Sequence, residues 1–410
     1  MRRLLILMSN FPENKNDSGN WILRFVENLN ERFDIRVLVP HSSNSNFIER
    51  FDKFKVYRFP YFYPFEFQRL AYGTGGIPYN FKSSYLARIE VPFFILSQIF
   101  ISFIIILLYN IEIINSHWLV PQGFVGAICR FILHKPHVAI LHSSEMTFLK
   151  NFPFGRNVVE FVAKNSDVIV SVSNHRAEEL LDFVSPKLRH IVKEKIKIIP
   201  MGVDIEEYNN YIEKDNLKLK YGLSSKYIVL FAGRLVEGKG CQYLIHAFKY
   251  IMSYMNDIEL VILGSGPLDS KLKNLVDELN LKNYINFKGE VDYGEMGDYY
   301  LLSDIVVIPS IVDSSGFQEG LPVVLLEALA AGKPVIATAI KAFLEIINDK
   351  SNGLLVEPKN PKQLADSILM LLSNQELQAK LSENALKTGK RYSWDVIKLQ
   401  YINIFNDACK

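Results

Sequence analysis

Short, nearly continuous apolar runs rich in Ile and Val recur along the chain, each followed by a stretch with helical spacing. In the first half they are Leu4–Met8, Ile35–Val39, Ile111–Ser116, Val138–Leu141, Val168–Val172 and Ile196–Ile199. In the second they are Tyr227–Phe231, Ile258–Leu263, Ile285–Phe287, Ile305–Ile308, Pro334–Ala337 and Leu354–Val356. Such runs suit strands buried on both faces of a parallel sheet. Their alternation with helices implies βαβ units, hence α/β architecture with doubly wound sheets. The rhythm occurs twice. The pattern predicts a Rossmann-like domain over 1–203, a polar linker over 204–226 and a second Rossmann-like domain over 227–391. Apolar residues at helical spacing in 392–410 predict one more helix.

A chain of 410 residues exceeds one ordinary core and fits two. The three cysteines, Cys129, Cys241 and Cys409, have no paired spacing, so neither a disulfide framework nor a zinc site is implied. A reducing, cytoplasmic setting is the simpler expectation. Leu4–Met8 follows two arginines but is too short for a signal-peptide core and reads as a first strand. Net charge is +2, spread as +7 over residues 1–200 and −5 over the remainder. The basic half favours an anionic partner such as a phosphorylated or membrane-bound acceptor; a mixed solvated surface is the bland alternative. No concentrated basic patch suggests nucleic acid.

Binding in doubly wound sheets falls at the carboxyl ends of the strands. There the segment Glu319–Thr338 stands out: Glu-Gly-Leu-Pro, then Glu327 inside the apolar stretch Val323–Ala331, then Gly-Lys-Pro-Val. A loop carries the first glutamate and a helix beginning near Pro322 the second; such a helix start presents free N–H groups to an anion. Gly316-Phe317-Gln318 upstream form a flexible loop whose amides can approach a sugar diphosphate. Two carboxylates around a helix start can accept hydroxyl pairs from a sugar and a ribose. The alternative, an exposed loop carboxylate and an ordinary helix Glu, is weak for Glu327, because buried unpaired carboxylates are rare. After the first strand of the second half come Arg234 and Lys239, flanking a glycine-containing turn, so that both cations can converge on one diphosphate.

The glutamates separated by seven residues, with the tail Ala-Leu-Ala-Ala-Gly-Lys-Pro-Val, resemble the signature of glycosyltransferase family 4, the retaining family with the GT-B fold. The resemblance implies two Rossmann-like domains facing across a cleft, the final helix 392–410 crossing back onto the first. It implies a hexose-type sugar moved from a nucleotide-diphosphate donor to a saccharide or lipid-linked acceptor, in cell-surface polysaccharide or glycolipid synthesis. Glu319 then contacts the donor sugar, Glu327 the donor ribose, and Arg234 and Lys239 the phosphates. Gly264, in Gly264-Ser265-Gly266-Pro267, resembles the family's glycine turn at the nucleotide; Gly316, Phe317, Gln318, Gly320 and Leu321 complete the donor side. Ser303-Asp304 and Pro309-Ser310 fit as well, with ordinary turn roles as the alternative.

Resemblance is looser in the first half. Asp17-Ser18-Gly19-Asn20 is similar to the loop that closes over diphosphate and acceptor, with one glycine where many relatives have two. His142 takes the family's histidine near the reacting sugar; Ser18, His117, Trp118 and Ser173 are acceptor-side candidates. A structural hydrogen-bonding role is the alternative for either histidine. Met201 stands where Asn is frequent, and 339–345 lacks the family's glycine pair. No cofactor is implied, and no aspartate pair at a spacing of two suggests a metal clasp.

Pro92 to Tyr109 carries no charge yet is shorter than the roughly 20 residues of a span. A span would also split one parallel sheet across the membrane. A buried or half-buried core helix is expected, with peripheral contact at the inner face of a membrane as the alternative. The aromatic run Phe59–Phe65 fits such contact or plain loop packing. Two competing functions remain: a non-catalytic nucleotide-sugar binding protein, and a nucleotide-sugar epimerase of the same architecture.

Overall fold

The computed structural model describes residues 1–12, 21–43, 45–72, 76–142, 144–208 and 212–409. The chain forms two compact units. One comprises the described residues up to Pro200 together with those from Ile397 onward; the other runs from Met201 to Val396.

In the first unit the strands are β1 (Arg2–Leu7), β2 (Phe33–Pro40), β3 (Ile48–Arg50), β4 (Lys55–Phe59), β5 (Ile113–His117), β6 (His137–Leu141), β7 (Val168–Ser171) and β8 (Ile196–Ile198). They form one sheet in the order β3-β4-β2-β1-β5-β6-β7-β8. All neighbours are parallel except β3 and β4. The second unit contains β9 (Tyr227–Ala232), β10 (Ile258–Leu263), β11 (Ile285–Gly289), β12 (Ile305–Ile308), β13 (Val335–Thr338) and β14 (Leu354–Val356). These pair in parallel in the order β11-β10-β9-β12-β13-β14. The second sheet is therefore doubly wound, its strand order reversing between β9 and β12; in the first sheet the reversal falls between β1 and β5. Central strands such as β12, Ile-Val-Val-Ile, are buried along their whole length, which is why their sequences are apolar. β10 is buried as fully and admits one charge, Glu259, whose carboxylate accepts from the amides of Ser224 and Ser225 at 3.1 and 2.7 Å. The fold is GT-B.

β3 and β4 lie outside the apolar runs. β4 mixes charge with hydrophobicity, Lys-Val-Tyr-Arg-Phe, yet all but its first residue are buried. The Arg58 side chain is fully enclosed and held by both carboxylate oxygens of Glu49 on β3, at 2.8 and 3.0 Å. It also donates to the Tyr72 hydroxyl at 2.9 Å. A buried charge satisfied in this way hides a strand from hydropathy.

The stretch 204–226, expected as a linker, is built into the second unit. It holds the helix Lys214–Tyr221, closed by Gly222 in the left-handed region. Leu217 is its buried residue. Tyr221 packs on Tyr299 with ring centroids 4.3 Å apart, and its hydroxyl donates to Asp298 at 2.8 Å. One apolar anchor among eight residues leaves a composition that reads as a linker.

The last helix, Trp394–Ala408, begins in the second unit, where Trp394 lies against Gly202. From Ile397 it belongs to the first, where Tyr401 meets Phe25 edge-on at 4.9 Å and Phe405 meets Phe33 at 5.5 Å.

Candidate donor site and the histidine pair

The second unit gathers its chemistry at the carboxyl ends of β9 to β12. After β9 the chain runs through Gly233 and Arg234 into the short 3-10 turn Glu237–Lys239, then into the helix Cys241–Ile251. Gly240 joins them at φ +66, and a Cβ there would lie 1.9 Å from the carbonyl oxygen of Pro309, just beyond β12. Gly264, after β10, has φ +118, and its Cβ would lie 2.1 Å from the Gly233 carbonyl oxygen. Only glycine permits backbones to meet this closely. Further bonds join the two loops flanking the switch point. The Ile311 amide donates to the Gly238 carbonyl at 2.8 Å, and the Ser314 hydroxyl donates to Glu237 at 2.7 Å.

This scaffold brings Lys239 to Glu319, Nζ to Oε1 at 2.6 Å, with the Glu319 side chain 9% exposed and that of Lys239 20%. Burial lowers the pKa of Arg234, while the negative charges of Glu290 and Glu319 oppose that shift. Arg234 therefore lies within electrostatic reach of both carboxylates. Glu290, beyond β11, accepts a hydrogen bond from the Ser265 hydroxyl of the glycine turn after β10. Sequence reasoning missed Glu290, an isolated acid with no motif around it.

The loop before Glu319 is ordered by Asp313, which accepts from the amides of Ser315 and Phe317 at 2.8 and 3.0 Å. Gly316 takes φ +80, and the Phe317 ring covers Gly238. Gln318 is half-buried, and Gly320 and Leu321 are buried. Pro322 is the N-cap, extended at φ −73 and ψ 133, so the helix starts one residue later than expected and spans Val323–Ala330. Glu327 sits inside it, 5% exposed, and accepts from the Tyr300 hydroxyl at 2.8 Å. Burial pushes its carboxyl up to about 7; the Tyr300 bond works against the rise and Glu207 adds to it. Tyr300 and Glu207 are two more residues the sequence did not single out.

In the first unit His117 ends β5 at the switch point, and His142 follows β6. Their rings stack 5.2 Å apart at 20°, with Nδ1 of His117 3.1 Å from Nε2 of His142. Burial pushes His142 down to about 3; burial and the neighbouring His142 push His117 well below the usual histidine range. Both are neutral at pH 7, and one donates to the other. Trp118, held at φ +68, and Trp21 lie against the His142 ring at 5.0 and 5.3 Å. Ser173 is enclosed and caps the helix Asn174–Phe183 by accepting from the Arg176 amide. Ser18 and Gly19 lie outside the described residues. The sequence-derived candidates thus divide by unit: Arg234, Lys239, Gly264, Gly316–Leu321 and Glu327 in the second, His117, Trp118, His142 and Ser173 in the first.

Residues 213–388 match the family described as glycosyl transferases group 1, and residues 18–207 match glycosyltransferase family 4. An uncharacterised glycosyltransferase of Methanocaldococcus jannaschii is 33% identical over 286 residues, 70% of this chain and 72% of its own. The chain belongs to glycosyltransferase family 4. Among solved structures, the glycosyltransferase shares its fold with sucrose-phosphate synthase of Thermosynechococcus elongatus, at a TM-score of 0.75, 19% identity and 99% coverage of both chains. It likewise shares it with HepE of Anabaena in complex with UDP-glucose, at a TM-score of 0.74 and 18% identity, covering 99% of this chain and all of that one.

Proposed function

We propose that this glycosyltransferase moves a hexose-type sugar from a nucleoside-diphosphate sugar to a saccharide or lipid-linked hydroxyl, with retention at the anomeric carbon. The reading rests on one observation: the Lys239–Glu319 ion pair lies at the switch point of a doubly wound sheet, Lys239 on the same loop after β9 that carries Arg234. UDP-glucose binding by HepE, which has the same fold, supports a donor of this class.

The Lys239–Glu319 ion pair holds both groups in place before the donor arrives. The donor diphosphate competes for Lys239, and Glu319 turns its carboxylate to hydroxyls of the donor sugar. Arg234 and Lys239 then offset the charge growing on the departing diphosphate, the term that usually dominates such catalysis. The bond from the anomeric carbon to the diphosphate oxygen breaks as the bond to the acceptor oxygen forms on the same face. The acceptor's proton passes to the leaving phosphate oxygen, so no side-chain base is required. Glu327 accepts the ribose hydroxyls.

A thermal-shift screen against nucleotide sugars tests the donor class. A specific donor at a hundredfold excess over its Kd should raise Tm by about 2–4 °C. NMR of the product made from that donor should show the donor's own anomeric configuration. No shift with any nucleotide sugar, or an inverted product, contradicts the proposal.

A further inference from the structure

We propose that the first unit binds the surface of anionic lipid bilayers through the outer face of the helix Tyr85–Leu108. This goes beyond the donor chemistry and does not depend on it. The helix has 24 residues and is long and apolar enough to cross a membrane. It cannot do so in this fold. It connects β4 to β5, and both strands belong to the one sheet, with β4 beside β2 and β5 beside β1. Its inner face packs on that sheet's core through Ala87, Phe94, Ile105 and Ile106.

The polarity of the helix is inverted. Glu90, Gln98 and Ser102 are fully enclosed, while Ile89, Phe93, Leu96, Phe100, Ile104 and Leu107 are 41–65% exposed. These six follow one another at steps of three and four and form a single stripe along the helix. A helix facing water carries the opposite arrangement. The rotation is pinned, because the Glu90 carboxylate accepts from the backbone amides of Arg69 and Leu70 at 2.8–3.1 Å. The stripe continues into an apolar groove of about 570 Å³ between the helix and the aromatic turn carrying Phe62, Tyr63 and Phe65. A continuous apolar surface of this extent marks an interaction site.

Charge around the face selects the partner. Within the helix Glu90 is the only acid, and it is buried. Lys82 and Arg88 stand exposed at its N-terminal end. The Arg88 guanidinium is fixed there by the carbonyls of Phe81 and Lys82, both at 2.8 Å. Arg69 is exposed beside the aromatic turn, with Glu66 the one exposed acid in that turn. An apolar stripe edged by aromatic rings and a cationic end is the pattern of a helix lying in the interface of an anionic membrane.

Flotation of the full chain with phosphatidylglycerol–phosphatidylcholine vesicles, and with phosphatidylcholine alone, tests this. The wild type should float with the anionic vesicles, less at high salt and less with neutral vesicles. Leu96→Glu/Phe100→Glu should weaken vesicle binding by about tenfold or more. Lys82→Glu should weaken it by about fivefold on anionic vesicles alone. Tm and donor-induced thermal shifts should match the wild type in each variant. Wild-type protein that stays with neither vesicle, or a double variant that floats as well as the wild type, overturns the proposal. So does a wild-type dimer that the double variant dissolves while flotation is absent, which assigns the face to a second copy.

Discussion

Above pH 7 Glu327 is a carboxylate inside the protein, stabilised by the Tyr300 hydroxyl at 2.8 Å and destabilised by burial and by Glu207. Its carboxyl titrates near 7 in the folded state against an ordinary value of 4.5. Between those values the folded protein keeps a proton that the unfolded chain has lost, so stability falls as pH rises through that window and levels off above it. The difference is on the order of 3 kcal/mol. Glu327→Gln keeps the shape and removes the charge. Its Tm should exceed the wild-type value at pH 8 and match it near pH 4.5, while nucleotide affinity at pH 8 falls. A Tm difference that does not change with pH contradicts the assignment. This residue was legible in the sequence because a lone glutamate among Val, Leu and Ala has few structural excuses. Glu290 and Tyr300 were not, since an acid after a strand and a tyrosine in a helix are ordinary until the fold brings Ser265 and Glu327 to them.

At the scale of elements, the proposed donor site is held by loops that meet backbone to backbone. Gly240 and Gly222 have nearly equal φ, +66 and +65, but a Cβ at 240 collides with the Pro309 carbonyl while one at 222 meets open space. Both Ala variants incur the cost of a left-handed residue, about 1–2 kcal/mol. Gly240→Ala must in addition push the two switch-point loops apart. Calorimetry should show a larger fall in Tm for Gly240→Ala, with loss of donor binding confined to it; equal behaviour of the pair contradicts the role given to these loops. Nearly continuous apolar runs made β1, β10 and β12 readable from sequence, because burial on both sheet faces leaves few polar positions. Arg2 and Arg3 at the start of β1 and the hydrogen-bonded Glu259 of β10 are the exceptions. β4 was hidden by Lys55 and by Arg58, whose charge is cancelled by Glu49 on a strand three residues long. The apolar stretch Pro92–Tyr109 was expected as a buried or half-buried core helix, and the helix runs from Tyr85 to Leu108. Its apolarity is plain in the sequence, but the orientation that turns Glu90 inward and Leu96 outward comes from the amides of Arg69 and Leu70.

Across the molecule, the fold divides at Pro200, a few residues before the expected boundary, because the polar stretch after it packs on the second unit through Leu217 and Tyr221. Composition cannot distinguish a solvated linker from a helix with one anchored edge. The first unit carries the histidine pair and the inverted helix, and the second the cation–carboxylate cluster. The central claim lies in the second: Lys239 and Glu319 are the working pair of the donor site. Sugar transfer by purified wild type, Lys239→Ala and Glu319→Gln, with Tm recorded for each, tests it most directly. Both variants should stay folded and lose about 10²–10³-fold in kcat. Wild-type transfer rates from either folded variant would contradict the account.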